Sequence, residues 1–186
     1  MSNGIVARKA LLSDVGPLLK LINDYASQGI MLARTEFELS ENIRDFTVAV
    51  RGEDVLGCAA LHFYGPQTGE IRSLAVDPSQ TKHGVGTLLM ESLEAEATAH
   101  GLHSVFAFTY IPDFFGKQGF LEVDRHRLPS KVWKDCLRCP KLHCCDEVAM
   151  EKIFAVPAVD APRSADDQWA DAGSNGALIL PTVAKR

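Results

Sequence analysis

A strand that breaks at Asp-Pro, passes through a glycine-rich loop and becomes an amphipathic helix constrains this chain more than any other stretch. It runs from Gly69 to Ala97, GEIRSLAVDPSQTKHGVGTLLMESLEAEA. Ile71 to Val76 has strand character, Asp77-Pro78 ends it, and Thr81-Lys82-His83-Gly84-Val85-Gly86 leads into the helix. Leu88, Leu89, Ser92, Leu93 and Ala97 recur at helical spacing with Glu91, Glu94 and Glu96 among them, so one face is apolar and another solvated. Such a turn presents unpaired backbone N–H groups and the positive end of the helix macrodipole, which suit a phosphate or pyrophosphate. The glycines let the backbone come close to a ligand. A tight turn into a core helix is the plainer reading of the same residues. The loop is neither a Walker A loop, which needs Gly-Lys-Ser/Thr after a longer spacing, nor a full Gly-x-Gly-x-x-Gly dinucleotide fingerprint.

At 186 residues the chain is long enough for one domain with a real core and too short for two of ordinary size. A net charge of -5 with no strongly basic segment argues against nonspecific nucleic-acid binding. No apolar run approaches the roughly 18 residues of a membrane span, and no basic segment followed by an apolar one opens the chain. A cytoplasmic protein without a membrane partner is expected. Five cysteines without a secretion signal point to reduced thiols or a metal rather than a disulfide framework.

Taken in order, Ile5 to Lys9 reads as a first strand, and Ser13-Asp14 as an N-cap for a helix carrying Val15, Leu18, Leu19, Ile22 and Tyr25 on one face. Gly29 stops it. A short link, Ile30 to Thr35, precedes a second helix from Glu36 to about Arg44. Phe46 to Val50 and Val55 to Tyr64 read as a hairpin joined at Gly52-Glu53-Asp54. After the central strand and helix come a strand over Ser104 to Thr109, a short helix over Asp113 to Gln118 closed by Gly119, and strands over Leu121 to Asp124 and Glu147 to Phe154. From about Ala155 the composition shifts to Pro, Ala, Asp, Ser and Gly, so the domain is expected over 1–154 and a mobile tail over 155–186. Ala177 to Leu180 is a short apolar run within that tail.

Two motifs carry a family resemblance. Thr81-Lys82-His83-Gly84-Val85-Gly86 resembles the loop of motif A in the GNAT superfamily of N-acetyltransferases, Gln/Arg-x-x-Gly-x-Gly/Ala, which cradles the pyrophosphate of acetyl-CoA. Thr81 stands where the family usually has Gln or Arg, and its hydroxyl could still bond a phosphate oxygen. Asp113-Phe114-Phe115-Gly116-Lys117-Gln118-Gly119-Phe120 resembles motif B, usually ending Phe-Tyr-x-x-x-Gly-Phe. The resemblance implies an α/β fold of the GNAT type: element order β-α-α-β-β-β-α-β-α-β-β, a mixed sheet of six to seven strands splayed between the fourth and fifth, and about four helices.

Within that superfamily the chain is similar to the acetyltransferase domain of bacterial N-acetylglutamate synthases. Gln28-Gly29-Ile30-Met31-Leu32-Ala33-Arg34-Thr35, Gly69-Glu70-Ile71, Ala75-Val76-Asp77-Pro78, and Val123-Asp124 with Leu128-Pro129 carry this similarity over residues 5 to 153. Long members carry an amino-acid-kinase-like domain ahead of the acetyltransferase, where arginine feedback resides. The present chain is expected to be the stand-alone short form, with arginine regulation not assumed. A homodimer is common in the family.

The resemblance implies attack of an amine on the acetyl-CoA thioester, most directly the α-amine of L-glutamate. Lys82, His83, Gly84, Val85, Gly86 and Thr87, with Thr81, would bind the cofactor, mostly through backbone N–H groups. The N–H of Leu74 would donate to the thioester oxygen, with Ala75 and Val76 beside the pantetheine arm as an added strand would lie; Phe114 and Phe115 of motif B would also flank the cofactor. The amine arrives as an ammonium, and Glu70 is the candidate base. Strand alternation puts Glu70, Arg72 and Leu74 on one face provided no bulge intervenes. An exposed strand carboxylate paired to Arg72 is the alternative for Glu70. Phe115 occupies the position of the usual tyrosine acid, so that role moves to Tyr110 or is unnecessary, given a free thiol pKa of about 8.5. A dianionic acceptor needs cationic partners, and arginine forks suit carboxylates. Arg34 matches the family's substrate-site arginine, with Leu32 beside it; Arg72 and Lys131 are further candidates.

The acetyltransferase reading does not explain Cys136-x-x-Cys139 followed by His143, Cys144 and Cys145. Cys136, Cys139 and Cys144 could hold zinc in a tetrahedral site, although the spacing is not that of a common zinc finger. Reduced thiols in a packed loop are the alternative, and Cys58 reads as a core residue. The sequence thus points to an acetyl-CoA-dependent amino-acid N-acetyltransferase, with L-glutamate as the acceptor. The rivals are the same fold acetylating another amine, such as glutamine or a peptide N-terminus, and a non-catalytic acyl-CoA-binding or metal-sensing protein.

Overall fold

A computed structural model of the chain describes residues 4–129, 135–141 and 143–154. The expectations for Lys131 and for the tail over 155–186 lie outside the described residues. In chain order the elements are strand β1 (Val6–Lys9), helices α1 (Val15–Ala26) and α2 (Glu36–Glu41), strands β2 (Phe46–Arg51), β3 (Asp54–Phe63) and β4 (Thr68–Val76), helix α3 (Val85–Ala99), strand β5 (Ser104–Thr109), helix α4 (Pro112–Lys117), and strands β6 (Leu121–Glu122) and β7 (Val148–Ile153). This is the expected order. The sheet runs β1-β2-β3-β4-β5-β7-β6, antiparallel except where β4 meets β5.

Each face of the sheet is covered by helix. On one side Val85, Leu89, Met90, Leu93 and Ala97 of α3 pack on Leu56, Ala59, Leu61, Ile71 and Val105. The buried stripe of α3 therefore takes in Met90 where the spacing suggested Leu88 and Ser92, both of which are only half-buried. On the other side Leu18, Ile22, Leu39 and Ile43 pack on Phe46, Val48, Val50, Cys58, Ala60 and Ala75. Glycine lets α3 come down onto β3: a Cβ at Gly57 would stand 3.0 Å from the Ala75 carbonyl oxygen and 3.0 Å from a Val85 methyl.

Two helices differ in detail from expectation, one at its start and one at its end. Asp14 does not cap α1. Its carboxylate turns back to accept from the Leu11 N–H at 2.7 Å and from Arg8, closing a 3-10 turn over Leu12–Asp14. Helix α2 is shorter than expected because it ends at Glu41 and continues as a 3-10 turn over Ile43–Asp45. Its start is a capping box, in which the Glu38 N–H donates to Thr35 Oγ1 and the Thr35 N–H donates to Glu38 Oε2.

The central strands part as expected. Residues Thr68, Gly69 and Glu70 of β4 pair with Ser104, Val105 and Phe106 of β5, and the pairing ends there although β4 continues to Val76. Among the described residues no helix is long and apolar enough to cross a membrane.

Candidate active site

The site begins at the rung where β4 loses β5. Glu70 sits on that last rung opposite Phe106, with His62 of β3 as its other cross-strand neighbour. It is 1% exposed, so the exposed-carboxylate alternative does not hold. Arg72 is paired elsewhere. The Tyr64 phenol is held well above its ordinary pKa first by burial and then by the negative charge of Glu70 beside it. A carboxylate removed from water and set beside a neutral hydroxyl has what a proton acceptor in a dry cleft requires.

Two residues further along, β4 bulges. Its register with β3 passes from Ala60↔Arg72 to Cys58↔Ala75, so Ser73 and Leu74 together oppose Ala59. Ser73 takes a left-handed φ of 54°, uncommon for a residue with a side chain. The extra residue shifts the alternation. Glu70 and Arg72 share one face, but Leu74 and Val76 pack with Ile71 in the cluster under α3. The expectation that Leu74 would share the face of Glu70 and Arg72 is corrected by this bulge. Its consequence for the backbone is different: a bulge disrupts the ladder and leaves the extra residue unpaired, here on a length of strand that β5 does not cover. Tyr25 fixes the end of the strand, its hydroxyl donating to the Val76 carbonyl at 2.6 Å.

The loop from Thr81 to Gly84 is exposed. Lys82 has a φ of 65° and Gly84 one of 81°, after which α3 begins at Val85. Left-handed residues alternating with extended or helical ones turn successive N–H groups to one side, which makes an anion-binding concavity ahead of a helix N-terminus. This geometry fits the pyrophosphate of acetyl-CoA. Thr81 does not contribute its proton, because its hydroxyl donates to the Pro78 carbonyl at 2.9 Å. Gly86 serves packing: a Cβ there would meet the Phe114 ring at 3.3 Å. Thr87 is half-buried in the first turn and lies 3.5 Å from the Gln118 amide nitrogen.

Motif B divides. Phe114 is partly buried against the α3 cluster, whereas Phe115 is 3% exposed and stacks edge-on with Phe114 and Phe120. Phe115 is thus a core residue rather than a wall of the cleft. Tyr110, at the end of β5, is committed too: its hydroxyl donates to Asp146 at 2.7 Å and accepts from Lys141 Nζ at 3.0 Å.

Arg34 and Arg72 are brought together on one carboxylate. Arg34 forks onto Asp135 at 3.3 and 3.3 Å, and Arg72 reaches the same group at 3.2 Å. The three side chains retain 13%, 9% and 4% exposure, so this is a largely desolvated cluster. Arg72 also stands 3.6 Å from Asp45, which is hydrogen-bonded to His62 at 2.7 Å. Leu32 is half-buried in the loop that carries Arg34. That loop is clamped by Asn23 of α1, whose amide nitrogen donates to the Arg34 carbonyl and whose oxygen accepts from the Arg34 N–H. Sequence reasoning missed Asn23, Tyr25 as a hydrogen-bond donor, Asp45, His62 and Asp135. A polar amide beside the apolar stripe of α1 was the one signal for Asn23; Asp135 had none.

The cysteines remain thiols: Cys58 is buried, Cys144 exposed, and Cys136, Cys139 and Cys145 half-buried. Among the described residues no three His, Cys, Asp or Glu side chains come close enough to hold a metal ion, so the zinc alternative for Cys136, Cys139 and Cys144 has no geometry to support it.

A sheet splayed beside a bulge, an anion-binding loop at a helix N-terminus and a buried carboxylate define a transferase of the acyl-CoA-dependent kind. The chain belongs to the acetyltransferase (GNAT) family, whose model matches residues 18–120. It is an N-acetyltransferase that draws on acetyl-CoA. It is 41% identical over 147 residues to an uncharacterised N-acetyltransferase of Chlorobaculum tepidum, covering 79% of this chain and 95% of that protein. It is 35% identical over 136 residues to an amino-acid acetyltransferase of Mycobacterium tuberculosis, covering 72% and 78% respectively. Among solved structures, N-acetylglutamate synthase from Neisseria gonorrhoeae, complexed with coenzyme A and N-acetyl-glutamate, superposes with a TM-score of 0.74 at 25% identity. That likeness covers 83% of this chain and 36% of the Neisseria protein.

Proposed function

We propose that this chain acetylates the α-amine of L-glutamate, the first step of arginine biosynthesis. The observation that carries the reading is the meeting of Arg34 and Arg72 on one carboxylate, with Arg72 on the same strand face as buried Glu70. Two guanidinium groups side by side are costly to desolvate and suit an acceptor that brings carboxylates of its own. Similarity to an amino-acid acetyltransferase supports an amino-acid acceptor, and the likeness to an N-acetylglutamate synthase supports glutamate among them.

Acetyl-CoA supplies the activated acyl group. Glu70 takes a proton from the acceptor ammonium, leaving a lone pair to attack the thioester carbon. The Leu74 N–H at the bulge donates to the carbonyl oxygen as it gains charge, an interaction typically worth about 3 kcal/mol. The loop at Lys82 to Gly86 holds the pyrophosphate, and Arg34 and Arg72 orient the acceptor carboxylates. As the C–S bond breaks, the sulfur leaves as thiolate, and the proton that the new amide nitrogen sheds converts it to the free thiol. With its proton held by Asp146, Tyr110 is a poor acid, and a thiol pKa of about 8.5 makes unaided departure reasonable.

Thiol release from acetyl-CoA against the twenty amino acids tests acceptor and catalysis together. Glutamate-dependent release that collapses in Arg34→Ala is the expected outcome. Release driven by another amino acid, with glutamate inert, sinks the glutamate assignment.

A further inference from the structure

The carboxylate of Asp135 lies where an acceptor's own carboxylate would lie if Arg34 and Arg72 receive it. It is 3% exposed and meets three arginines: Arg34 through both terminal nitrogens, Arg72 at 3.2 Å and Arg138 at 3.4 Å. Arg138 also bonds Glu38, so the turn that begins at Cys136 is pinned against α2 and delivers Asp135 inward. With Asp135 seated, the fork of Arg34 is engaged, and the second terminal nitrogen of Arg72 faces Asp45 at 3.6 Å. Neither arginine presents a full fork to an incoming carboxylate.

Resting on the acceptor site just proposed, we infer that Asp135 is an intramolecular occupant of the acceptor-carboxylate position and a specificity-determining residue. An acceptor that binds through Arg34 and Arg72 displaces it. Two consequences follow from charge alone. In the free protein Asp135 sets a negative charge against two adjacent, largely buried guanidinium groups, adding to that of Asp45 beside Arg72. It also lowers apparent acceptor affinity by the fraction of molecules in which it is displaced, so an acceptor offering a single weak carboxylate contact competes poorly.

The test is calorimetric binding of glutarate and of L-glutamate to the full chain carrying Asp135→Asn, which keeps the side chain's size and removes its charge. Glutarate has two carboxylates and no amine, so it reports on the arginine pair whatever amine is acetylated. Both are expected to bind at least about fivefold more tightly than to the parent protein, and the gain is expected to vanish when Arg34→Ala is added. Unchanged or weaker binding overturns the inference, weaker binding meaning that Asp135 only props the arginines. If Asp135→Asn does not fold, judged by melting and acetyl-CoA binding, Arg138→Gln loosens the same turn without removing Arg34 or Arg72. A smaller gain in the same direction is expected from it, and no gain overturns the inference. Tighter glutarate binding in a protein that does not turn over glutamate would sink the proposed substrate and leave this inference standing.

Discussion

Asn23 and Arg34 hold each other through two hydrogen bonds of 2.9 Å, amide nitrogen to carbonyl and backbone N–H to amide oxygen. The side chain of a helix residue thus substitutes for a strand partner and fixes the loop from which Arg34 reaches inward. Asn23→Ala removes both bonds while leaving the guanidinium itself in place. With each worth about 1 kcal/mol net, kcat/KM for the acceptor is expected to fall roughly tenfold or somewhat more, mostly through KM. Acetyl-CoA binding should stay as it was. Steady-state kinetics with each substrate varied separately decide this, and an equal loss for both substrates would point to general destabilisation instead.

Glu70→Gln should behave differently. It keeps the shape of a buried side chain and removes the proton acceptor, so kcat is expected to drop by roughly 10² to 10⁴ with KM for acetyl-CoA little changed. Because Tyr64 stands close enough to this carboxylate for the two to interact electrostatically, Tyr64→Phe is expected to give a smaller kcat loss and to shift the pH-rate profile of the remaining activity. A Glu70→Gln enzyme that retains its rate would leave proton removal to water alone.

Much of this is legible in the amino-acid sequence, and the parts that are not share a cause. The strand-loop-helix unit and the element order could be read because periodicity, Asp77-Pro78 and the loop glycines are local signals, whereas the splay followed from the family resemblance alone. The bulge could not. Nothing in Arg72-Ser73-Leu74 announces that Ser73 turns left-handed, and one extra residue was enough to put Leu74 on the opposite face from the one alternation assigned it. Asp135 lies 101 residues from Arg34 along the chain; an acidic residue ahead of Cys136 carries no mark of its partners. Arg34 itself was singled out through family resemblance rather than periodicity. Phe115 shows the converse, since a motif position reads as functional until burial places it in the core.

Gly57 and Gly69 are both crowded, and the neighbours decide which tolerates a methyl group. At Gly57 the new Cβ would press on the Ala75 carbonyl oxygen at 3.0 Å, which is backbone and cannot turn away. At Gly69 it would meet the ends of Leu102 at 2.9 Å and Leu61 at 3.0 Å, both flexible side chains. Gly57→Ala is therefore expected to cost about 1–3 kcal/mol, the usual range for overpacking. Gly69→Ala should cost less despite its shorter contact. Urea denaturation of the two variants ranks them, and the reverse order would mean that β3 and β4 adjust more freely than their carbonyl contact implies.

Acid stability should depend on a pair at the other end of the sheet. Arg8 donates to both oxygens of Asp14 at 2.7 and 3.0 Å, and the Leu11 N–H adds a third bond at 2.7 Å. The Arg8 hydrogen bond is the main reason the Asp14 carboxyl titrates below its ordinary range, outweighing the opposing effect of burial. A carboxyl whose pKa is lowered on folding stabilises the fold above its unfolded pKa, about 3.9. That contribution fades as pH falls through the folded value, because the unfolded chain takes up the proton first. Asp14→Asn removes the carboxylate without changing its size. The variant should be less stable than the parent at pH 7, and the gap should narrow from about pH 5 downward. Melting curves of both proteins between neutral pH and about pH 3 measure it. A gap that stays constant across that range would assign the loss to shape rather than charge.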